Sequence, residues 1–178
     1  AGTDVRLAAR PSASLVAAAE KARKTGLNVH ILSDALEGEA RDVAAEHAKL
    51  AISIRDCNEP IATPAIILSG GELTVTITGS GGGGPNGEYM LAMAIELNGA
   101  EHIYAIACDT DGIDGSVDNA GAQISPDTLA RAAESSVDAK AHLLNNDSYG
   151  FFSELGDLVM TGPTYTNVND FRAILVLS

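Results

Sequence analysis

A glycine-rich segment is the part of this sequence best suited to binding a ligand. Residues 79–84 read GSGGGG, between a strand predicted at Leu73–Thr78 and a helix predicted at Asn86–Asn98. Glycine can adopt positive φ and approach a ligand closely, and a helix N-terminus presents N–H groups and a positive dipole end to an anion. The segment predicts an anion-binding loop, with a purely structural turn as the alternative. Its candidate binding residues are Gly81, Gly83 and Gly84.

Three aspartates within six residues form the second candidate site. The motif DTDGIDG places Asp109, Asp111 and Asp114 directly after a buried strand predicted at His102–Cys108. In open α/β sheets, ligands bind beyond the carboxyl ends of the strands. Carboxylates this close repel one another unless they share a cation or lie in an exposed loop. The motif therefore predicts a site for a divalent metal with phosphate oxygens, and a solvated Asp-Gly turn is the alternative.

A polar run before the last predicted strand is the third candidate. Residues 161–170 read TGPTYTNVND and lead into a strand predicted at Asp170–Leu177. In an extended chain Asn167 and Asn169 point the same way and could hold a polar ligand together. A loop that satisfies its own backbone is the alternative. The segment Asn145–Ser148 is more typical of a helix cap.

Other signatures of catalysis are weak or missing in the sequence. The spacing Gly79, Gly81, Gly84 satisfies the dinucleotide fingerprint GxGxxG, but no P-loop lysine follows it. The sequence has no CxxC or HExxH motif and no apparent Ser/His/Asp set. We therefore expect a polar, anion-handling cleft without an obvious nucleophile. We predict that the glycine loop, the aspartate turn and the asparagine run converge on one pocket.

Charge narrows the class of ligand and partner. The net charge is −13, and residues 80–178 carry three Lys/Arg against fourteen Asp/Glu. Such a surface excludes electrostatic binding to nucleic acid or to an anionic membrane. Only two cysteines are present, and no apolar run reaches the roughly 20 residues of a membrane span. We expect a cytoplasmic protein whose partner is a small-molecule substrate.

Hydrophobic periodicity predicts alternating strands and helices. The pair Pro64–Ser69 and Leu73–Thr78, separated by Gly70, Gly71 and Glu72, predicts a β-hairpin. Residues 1–178 are expected to form a single α/β domain, with helices layered around a mixed, mostly parallel β-sheet with one hairpin. Further strands are predicted at Val5–Ala9 and Leu27–Ser33, and further helices at Ser12–Lys24, Gly38–Ile54 and about 126–135, 138–144 and 147–155.

At these motifs the sequence resembles the MOFRL family, the C-terminal domain of class II glycerate kinases. Many members of that family are named hydroxypyruvate reductases of the tartrate-degradation type. The resemblance covers nearly the whole chain in order. The matching strings are LSDALEGEARDVA, LSGGELTVTITGSGGGGPNGEYMLAMAIELNG, DTDGIDG with DNAGA, NNDSYGFF and GDLVMTGPTYTNVNDFRAILV.

The resemblance implies the C-terminal part of a two-domain glycerate 2-kinase, with the active site between the domains. The implied reaction is phosphorylation of D-glycerate at its 2-hydroxyl, with ATP as the donor and Mg²⁺ as the cofactor. The missing N-terminal domain of the same polypeptide is then a partner, and the isolated domain is expected to be inactive. The implied catalytic residues are Asp109, Asp111, Asp114 and Arg172, with Asp111 as the metal ligand. The implied binding residues are Gly81, Gly83, Gly84, Asn86, Glu88, Thr110, Asn167, Asn169 and Asp170.

Two other functions remain open at the level of sequence. One is an NAD(P)H-dependent hydroxypyruvate reductase, and the other is a non-catalytic ligand-binding module. A homodimer is also left open. The chain departs from the family pattern GRGGRNQE at Gly82, Pro85 and Gly87, and it has Tyr165 where a glycine is usual.

Overall fold

A seven-stranded sheet with helices on both faces forms the part of the chain that the computed structural model describes, residues 11–178. The predicted strand Val5–Ala9 lies outside these described residues. The helices are α1 (Pro11–Lys24), α2 (Ala40–Cys57), α3 (Pro85–Leu97), α4 (Thr128–Glu134), α5 (Ala139–Leu144) and α6 (Ser148–Leu155). The strands are β1 (Asn28–Ile31), β2 (Leu36–Glu39), β3 (Ala65–Thr74), β4 (Ile103–Asp109), β5 (Gly121–Ile124), β6 (Leu158–Val159) and β7 (Asp170–Val176).

The sheet is mixed, as predicted, but antiparallel pairs outnumber parallel ones among the described strands. Its order is β1-β3-β7-β4-β5-β6, and β2 also pairs with β3. Only β1–β3 and β2–β3 are parallel. Strand β7 pairs antiparallel with both β3 and β4. The prediction of a mostly parallel sheet is therefore wrong, because the last strand inserts between two strands that run the same way.

The predicted hairpin around Gly70 and Gly71 is also wrong, since both glycines lie inside the single strand β3. Gly71 has φ +101, and a Cβ atom there would lie 2.1 Å from the backbone nitrogen of Leu36. A Cβ atom at Gly70 would lie 3.2 Å from the carbonyl oxygen of Asp170. These glycines allow neighbouring backbone segments to approach β3, which is a use of glycine distinct from a turn.

Helix packing places the carboxyl ends of β3 and β4 beside the N-terminus of α3. Helix α3 begins with Pro85 at its first turn and ends at Asn98 in the left-handed conformation, both common at helix ends. Its apolar residues are buried in one core with those of α2. Leu15 and Ala19 of α1 cover the opposite face, against Leu68 and Ala173. Because β7 runs antiparallel, its first residue lies at this same edge.

A search of residues 11–178 for a helix both long enough and apolar enough to span a bilayer finds none.

Candidate functional site

The N-terminus of α3 is capped by Asp114, a residue from the aspartate turn. Oδ1 of Asp114 accepts hydrogen bonds from the Asn86 backbone N–H at 3.0 Å and from Asn86 Nδ2 at 3.3 Å. Oδ2 accepts from the Gly87 N–H at 2.7 Å. Asp114 is only 1% exposed, and this burial raises its pKa to about 6 against the effect of these hydrogen bonds. The prediction that Asp114 lines the cleft is therefore wrong, because its carboxylate serves as an internal anion for this helix end.

Asn86 and Arg172 are interior residues that hold Asp170. Asn86 Nδ2 donates to Asp170 Oδ1 at 2.8 Å, and Arg172 donates to Asp170 Oδ2 at 2.5 Å. The guanidinium also donates to the carbonyl oxygens of Gly70 and Gly71, each at 3.3 Å, and it lies over the ring of Tyr89. Arg172 is 1% exposed. It therefore positions Asp170 and cannot contact a ligand from this place, contrary to its predicted catalytic role.

The glycine loop packs tightly against residues 145–148. Asn146 Oδ1 accepts from the N–H groups of Thr78 and Gly79 at 2.8 and 2.9 Å, and Asn145 Oδ1 accepts from Ser80 N–H at 3.0 Å. A Cβ atom at Gly79 would lie 2.2 Å from the carbonyl oxygen of Asn145. Much of the glycine content is thus explained by packing, as the structural alternative supposed.

Residues 145–148 also cap a helix, as predicted. Asp147 precedes α6, and its Oδ1 accepts from the Gly150 N–H at 3.3 Å. The same oxygen accepts from the Gly82 N–H at 3.2 Å. One carboxylate therefore joins the cap of α6 to the glycine loop. This second role is absent from the local sequence pattern, since the two segments lie 65 positions apart.

Two adjoining clefts lie at the edge where β3 and β4 end. The first, here called the glycine cleft, has a volume of about 360 Å³ and is lined by Leu73, Val75, Ile77, Gly81, Gly83, Gly84, Pro85, Glu88, Gly115, Ser116 and Asn146. The second, here called the acidic cleft, has a volume of about 350 Å³ and is lined by Glu72, Leu73, Pro85, Asp109, Asp111, Ile113, Gly115, Asn167, Asn169 and Asp170. Leu73, Pro85 and Gly115 line both clefts. The three segments meet at one edge of the sheet, as predicted, but they line two adjoining clefts and not a single pocket.

Two carboxylates of the acidic cleft, those of Asp109 and Asp170, lie on the same face of the sheet. Asp109 and Asp170 are directly opposite in the β4–β7 register, so their side chains lie on one side. Burial raises the pKa of Asp109 to about 6, and the negative charges of Asp111 and Asp170 raise this pKa further. The Asp111 N–H donates to Asp109 Oδ1 at 2.9 Å and lowers the pKa. Burial also raises the pKa of Asp170, against the effect of Arg172. The cleft concentrates negative charge that a cation would relieve.

Thr110 fastens the asparagine run to the aspartate turn. Its hydroxyl donates to the Asn169 carbonyl at 2.8 Å and accepts from the Val168 N–H at 2.9 Å. Thr110 thus has a scaffolding role, and its predicted binding role stays a prediction, because the hydroxyl keeps one acceptor lone pair. Asn167 Oδ1 accepts from the Asn169 N–H at 3.0 Å. Asn167 and Asn169 both line the acidic cleft, so the ligand-binding and the self-satisfying interpretations each describe part of this loop.

Glu88 lies at the base of the glycine cleft and is neutralised by Arg41. Arg41 Nε donates to Glu88 Oε1 at 2.6 Å, and Asn146 Nδ2 donates to the same oxygen at 3.1 Å. Glu88 is 2% exposed, and burial raises its pKa although both partners lower it. Arg41 was not among the predicted site residues. Nothing in the local pattern around it points to a partner 47 positions away.

A metal site would have to be shared with a ligand. Within residues 11–178, no three His, Cys, Asp or Glu side chains are arranged so that they could hold a metal ion together. Mg²⁺ commonly uses one or two protein carboxylates and completes its shell with phosphate oxygens and water. Asp109 and Asp111 both line the acidic cleft and fit that kind of partial site.

The chain is similar in sequence to proteins of one family. The model of the MOFRL family matches residues 65–170. A protein of Agrobacterium vitis named putative hydroxypyruvate reductase is 53% identical over 97% of this chain and 40% of its own length. The glycerate 2-kinase of Pyrococcus horikoshii is 36% identical over 97% of this chain and 39% of its own length.

Solved structures give the same result for the fold. The crystal structure of glycerate kinase from Thermotoga maritima matches with a TM-score of 0.94 and 33% identity, covering 98% of this chain and 42% of that one. The chain thus spans about 40% of the length of the relatives it matches. The family match covers more than half of the sequence and confirms the resemblance seen in its motifs. The chain belongs to the MOFRL family.

Proposed function

We propose that this chain forms one wall of the active site of a glycerate 2-kinase. The enzyme would transfer a phosphoryl group from ATP to the 2-hydroxyl of D-glycerate. The acidic cleft carries this proposal, because it sets Asp109 and Asp111 beside the glycine loop at the carboxyl end of β4. Phosphoryl transfer relies on positioning and charge neutralisation and needs no protein nucleophile. Relatives named glycerate 2-kinase and glycerate kinase support the same reaction class.

Asp111 and Asp109 are the residues we assign to Mg²⁺. When bound, Mg²⁺ would neutralise the charge that builds up on the transferred phosphoryl group. Asn167 and Asn169 would orient the polar groups of the substrate. Asp170, held by Arg172 and Asn86, would keep β7 and α3 in register at the cleft floor. Asp114 would contribute indirectly, because its hydrogen bonds fix the N-terminal end of α3.

The remaining parts of the site are proposed to come from the rest of a longer polypeptide. No Lys or Arg is among the residues lining the acidic cleft in the described part of the chain. Glycerate and the phosphates are anions, so a cationic group must reach the cleft from elsewhere. An N-terminal domain of the same polypeptide would supply it, and these 178 residues alone would not turn over. The cytoplasmic location and the homodimer stay predictions.

NAD(P)H-dependent reduction of hydroxypyruvate is the alternative, because a 53% identical relative carries that name. Two features favour the kinase. The Asn86 and Gly87 N–H groups, where a dinucleotide pyrophosphate would bind, are already bonded to Asp114. Strands β3 and β4 are separated by β7, whereas the dinucleotide fingerprint belongs to a unit of adjacent parallel strands. A non-catalytic binding module is a third candidate, and the activity assay described next also tests it.

The test is product formation by the full-length protein. We expect 2-phosphoglycerate to form from D-glycerate and ATP in the presence of Mg²⁺, and no oxidation of NADH by hydroxypyruvate. Asp111→Asn should lower kcat at least about 100-fold, because it weakens charge neutralisation in the transition state. Asp118→Asn is the matched control: this exposed aspartate of the same turn bonds Tyr149 and lines neither cleft. NADH oxidation without phosphorylation would support the reductase in place of the kinase. If neither activity is detected, the non-catalytic binding module is the hypothesis that remains.

A further inference from the structure

We infer that the nucleotide donor binds to this lobe, with its base against the apolar wall of the glycine cleft and its phosphates directed toward the acidic cleft. This inference rests on the proposed kinase function, since it assigns the donor of that reaction to residues of this chain. It divides the two clefts by chemistry. The glycine cleft takes the apolar, uncharged part of the donor, and the acidic cleft takes the end that carries the metal.

The wall of the glycine cleft is aliphatic and partly open to water. Leu73 lies in β3, Val75 and Ile77 follow the end of that strand, and all three line this cleft. Ile77 is 78% exposed, so most of its side chain is in contact with water. Covering such a surface with a flat apolar group is favourable by about 25 cal/mol per Å² of area removed from water. Glycerate is a small polar anion and would leave this wall uncovered, whereas a nucleobase would cover it.

Two backbone N–H groups of the glycine loop have no hydrogen-bond acceptor in the described part of the chain, one on the half-buried Gly83 and one on the buried Gly84. The N–H groups of Gly81 and Gly82 are bonded to residues 145 and 147. Those of Gly83 and Gly84 have no acceptor within residues 11–178. Both glycines line the glycine cleft next to the shared residue Pro85. Free N–H groups in a glycine loop are suited to phosphate oxygens.

The distribution of charge determines how the nucleotide donor is oriented along the two clefts. Glu88 is the single charged residue lining the glycine cleft, and it is paired with Arg41. Phosphates at the junction therefore meet little net negative charge. The acidic cleft has four lining carboxylates and admits phosphate only with a cation. The triphosphate must then run from Gly83 and Gly84 toward Asp111, with the terminal phosphate at the metal-binding end.

The same geometry predicts poor discrimination between bases. Asn146 lines the glycine cleft, but its amide is committed: Oδ1 accepts from Thr78 and Gly79, and Nδ2 donates to Glu88. A site that contacts a base mainly through aliphatic surface has few hydrogen bonds with which to reject another base. We expect ATP and GTP to bind this chain within about tenfold of each other.

Titration calorimetry on the full-length protein with Mg²⁺-ATP and with Mg²⁺-triphosphate tests the inference. Triphosphate lacks the base, so its affinity reports on the phosphate-binding part of the site alone. Ile77→Ser should weaken ATP binding about five- to tenfold, in line with the partial loss of a buried aliphatic contact, and leave triphosphate binding unchanged. Leu144→Ser is the matched control, since Leu144 is 71% exposed and lines neither cleft. It should change neither affinity.

Three outcomes would overturn the inference. They are no ATP binding to the full-length protein, equal ATP affinity in Ile77→Ser and the native sequence, and equal losses for ATP and triphosphate. The kinase assay on the full-length protein keeps the two claims apart. Phosphorylation of glycerate with an unchanged KM for ATP in Ile77→Ser would remove the base site and leave the kinase standing. Reductase activity alone would remove both.

Discussion

The glycine cleft and the acidic cleft adjoin at one edge of the sheet and yet differ in how the fold treats charge. In the glycine cleft the lining carboxylate, Glu88, is buried and paired with Arg41. In the acidic cleft Asp109 and Asp111 have no cationic partner among residues 11–178. A carboxylate that is paired with a cation inside the fold stabilises the structure, whereas an unpaired carboxylate in a cleft is available to bind a ligand.

The aspartate turn shows this difference within six residues. Asp114 is 1% exposed and holds the end of α3. Asp111 lines the acidic cleft, and its Oδ1 accepts from the nearby Ile113 N–H at 2.8 Å. From sequence spacing alone, Asp111 and Asp114 are equally good candidates for ligand-binding residues. The fold assigns them opposite tasks, because only Asp114 lies under the glycine loop.

The largest expected effect concerns the buried Asp170–Arg172 pair, in which the fold neutralises a carboxylate of the acidic cleft itself. Arg172→Met should lower the free energy of unfolding by about 3–5 kcal/mol, because it leaves the buried Asp170 carboxylate without its cation. Denaturant unfolding measures the change. The double substitution Asp170→Asn with Arg172→Met should recover part of the loss.

Arg55→Met is the matched control for this prediction. Arg55 is paired with the exposed Asp56, and loss of such a surface pair should cost no more than about 1 kcal/mol. Equal losses for Arg172→Met and Arg55→Met would show that Arg172 is not structural. Arg172 would then have to be returned to the cleft as a ligand-binding residue.

A smaller effect is expected for two glycines of the glycine loop, Gly84 and Gly82. A Cβ atom at Gly84 would lie 2.3 Å from the backbone oxygen of Asp114, so Gly84→Ala should cost about 1–3 kcal/mol of unfolding free energy. At Gly82 the nearest atoms would be 3.7 Å away, so Gly82→Ala should be nearly neutral. Thermal unfolding of both variants checks the pair. A neutral Gly84→Ala would mean that the loop can move away from Asp114 at little cost.

Much of the fold could be predicted because its signals are local. The apolar periodicity of α1 to α6 and of β4 and β7 lies within each segment, so these elements appear close to their predicted places. Strand β2 reads LEGE and has no apolar alternation, and β6 has two residues, so neither was predicted. The glycines of β3 were taken for a turn because a glycine needed for close packing looks the same in sequence as a glycine needed for bending.

The site was predictable in its location and less so in its roles. Strand ends and a helix start bring polar segments to one edge, and the convergence follows from that rule. Whether a polar side chain faces the ligand or the interior depends on contacts between distant segments, such as Arg41 with Glu88 or Asn146 with Thr78. Tyr165 has φ +58, a conformation that favours glycine, which gives a physical reason for the glycine usual there in the family.

The smallest expected effect is the pH dependence that Asp114 gives to stability. Its pKa is about 6 in the folded protein, against an ordinary value of 3.8. Between these two values the native state binds more protons than the unfolded state, so the free energy of unfolding rises as the pH falls. From pH 7 to pH 5 the gain from Asp114 should be about 1 kcal/mol, and Asp114→Asn should remove it.

Chemical denaturation of both proteins at the two pH values measures this difference directly. Other carboxyls with raised pKa values, such as Asp170 and Glu88, contribute to both proteins and largely cancel. Asp118→Asn controls for the loss of one negative charge from the same turn, because Asp118 is exposed. If Asp114→Asn keeps the full pH dependence of the native sequence, the pKa of Asp114 is not raised in the folded protein. Its hydrogen bonds from the start of α3 would then offset the effect of burial and keep the carboxylate as the stable anion of that helix end.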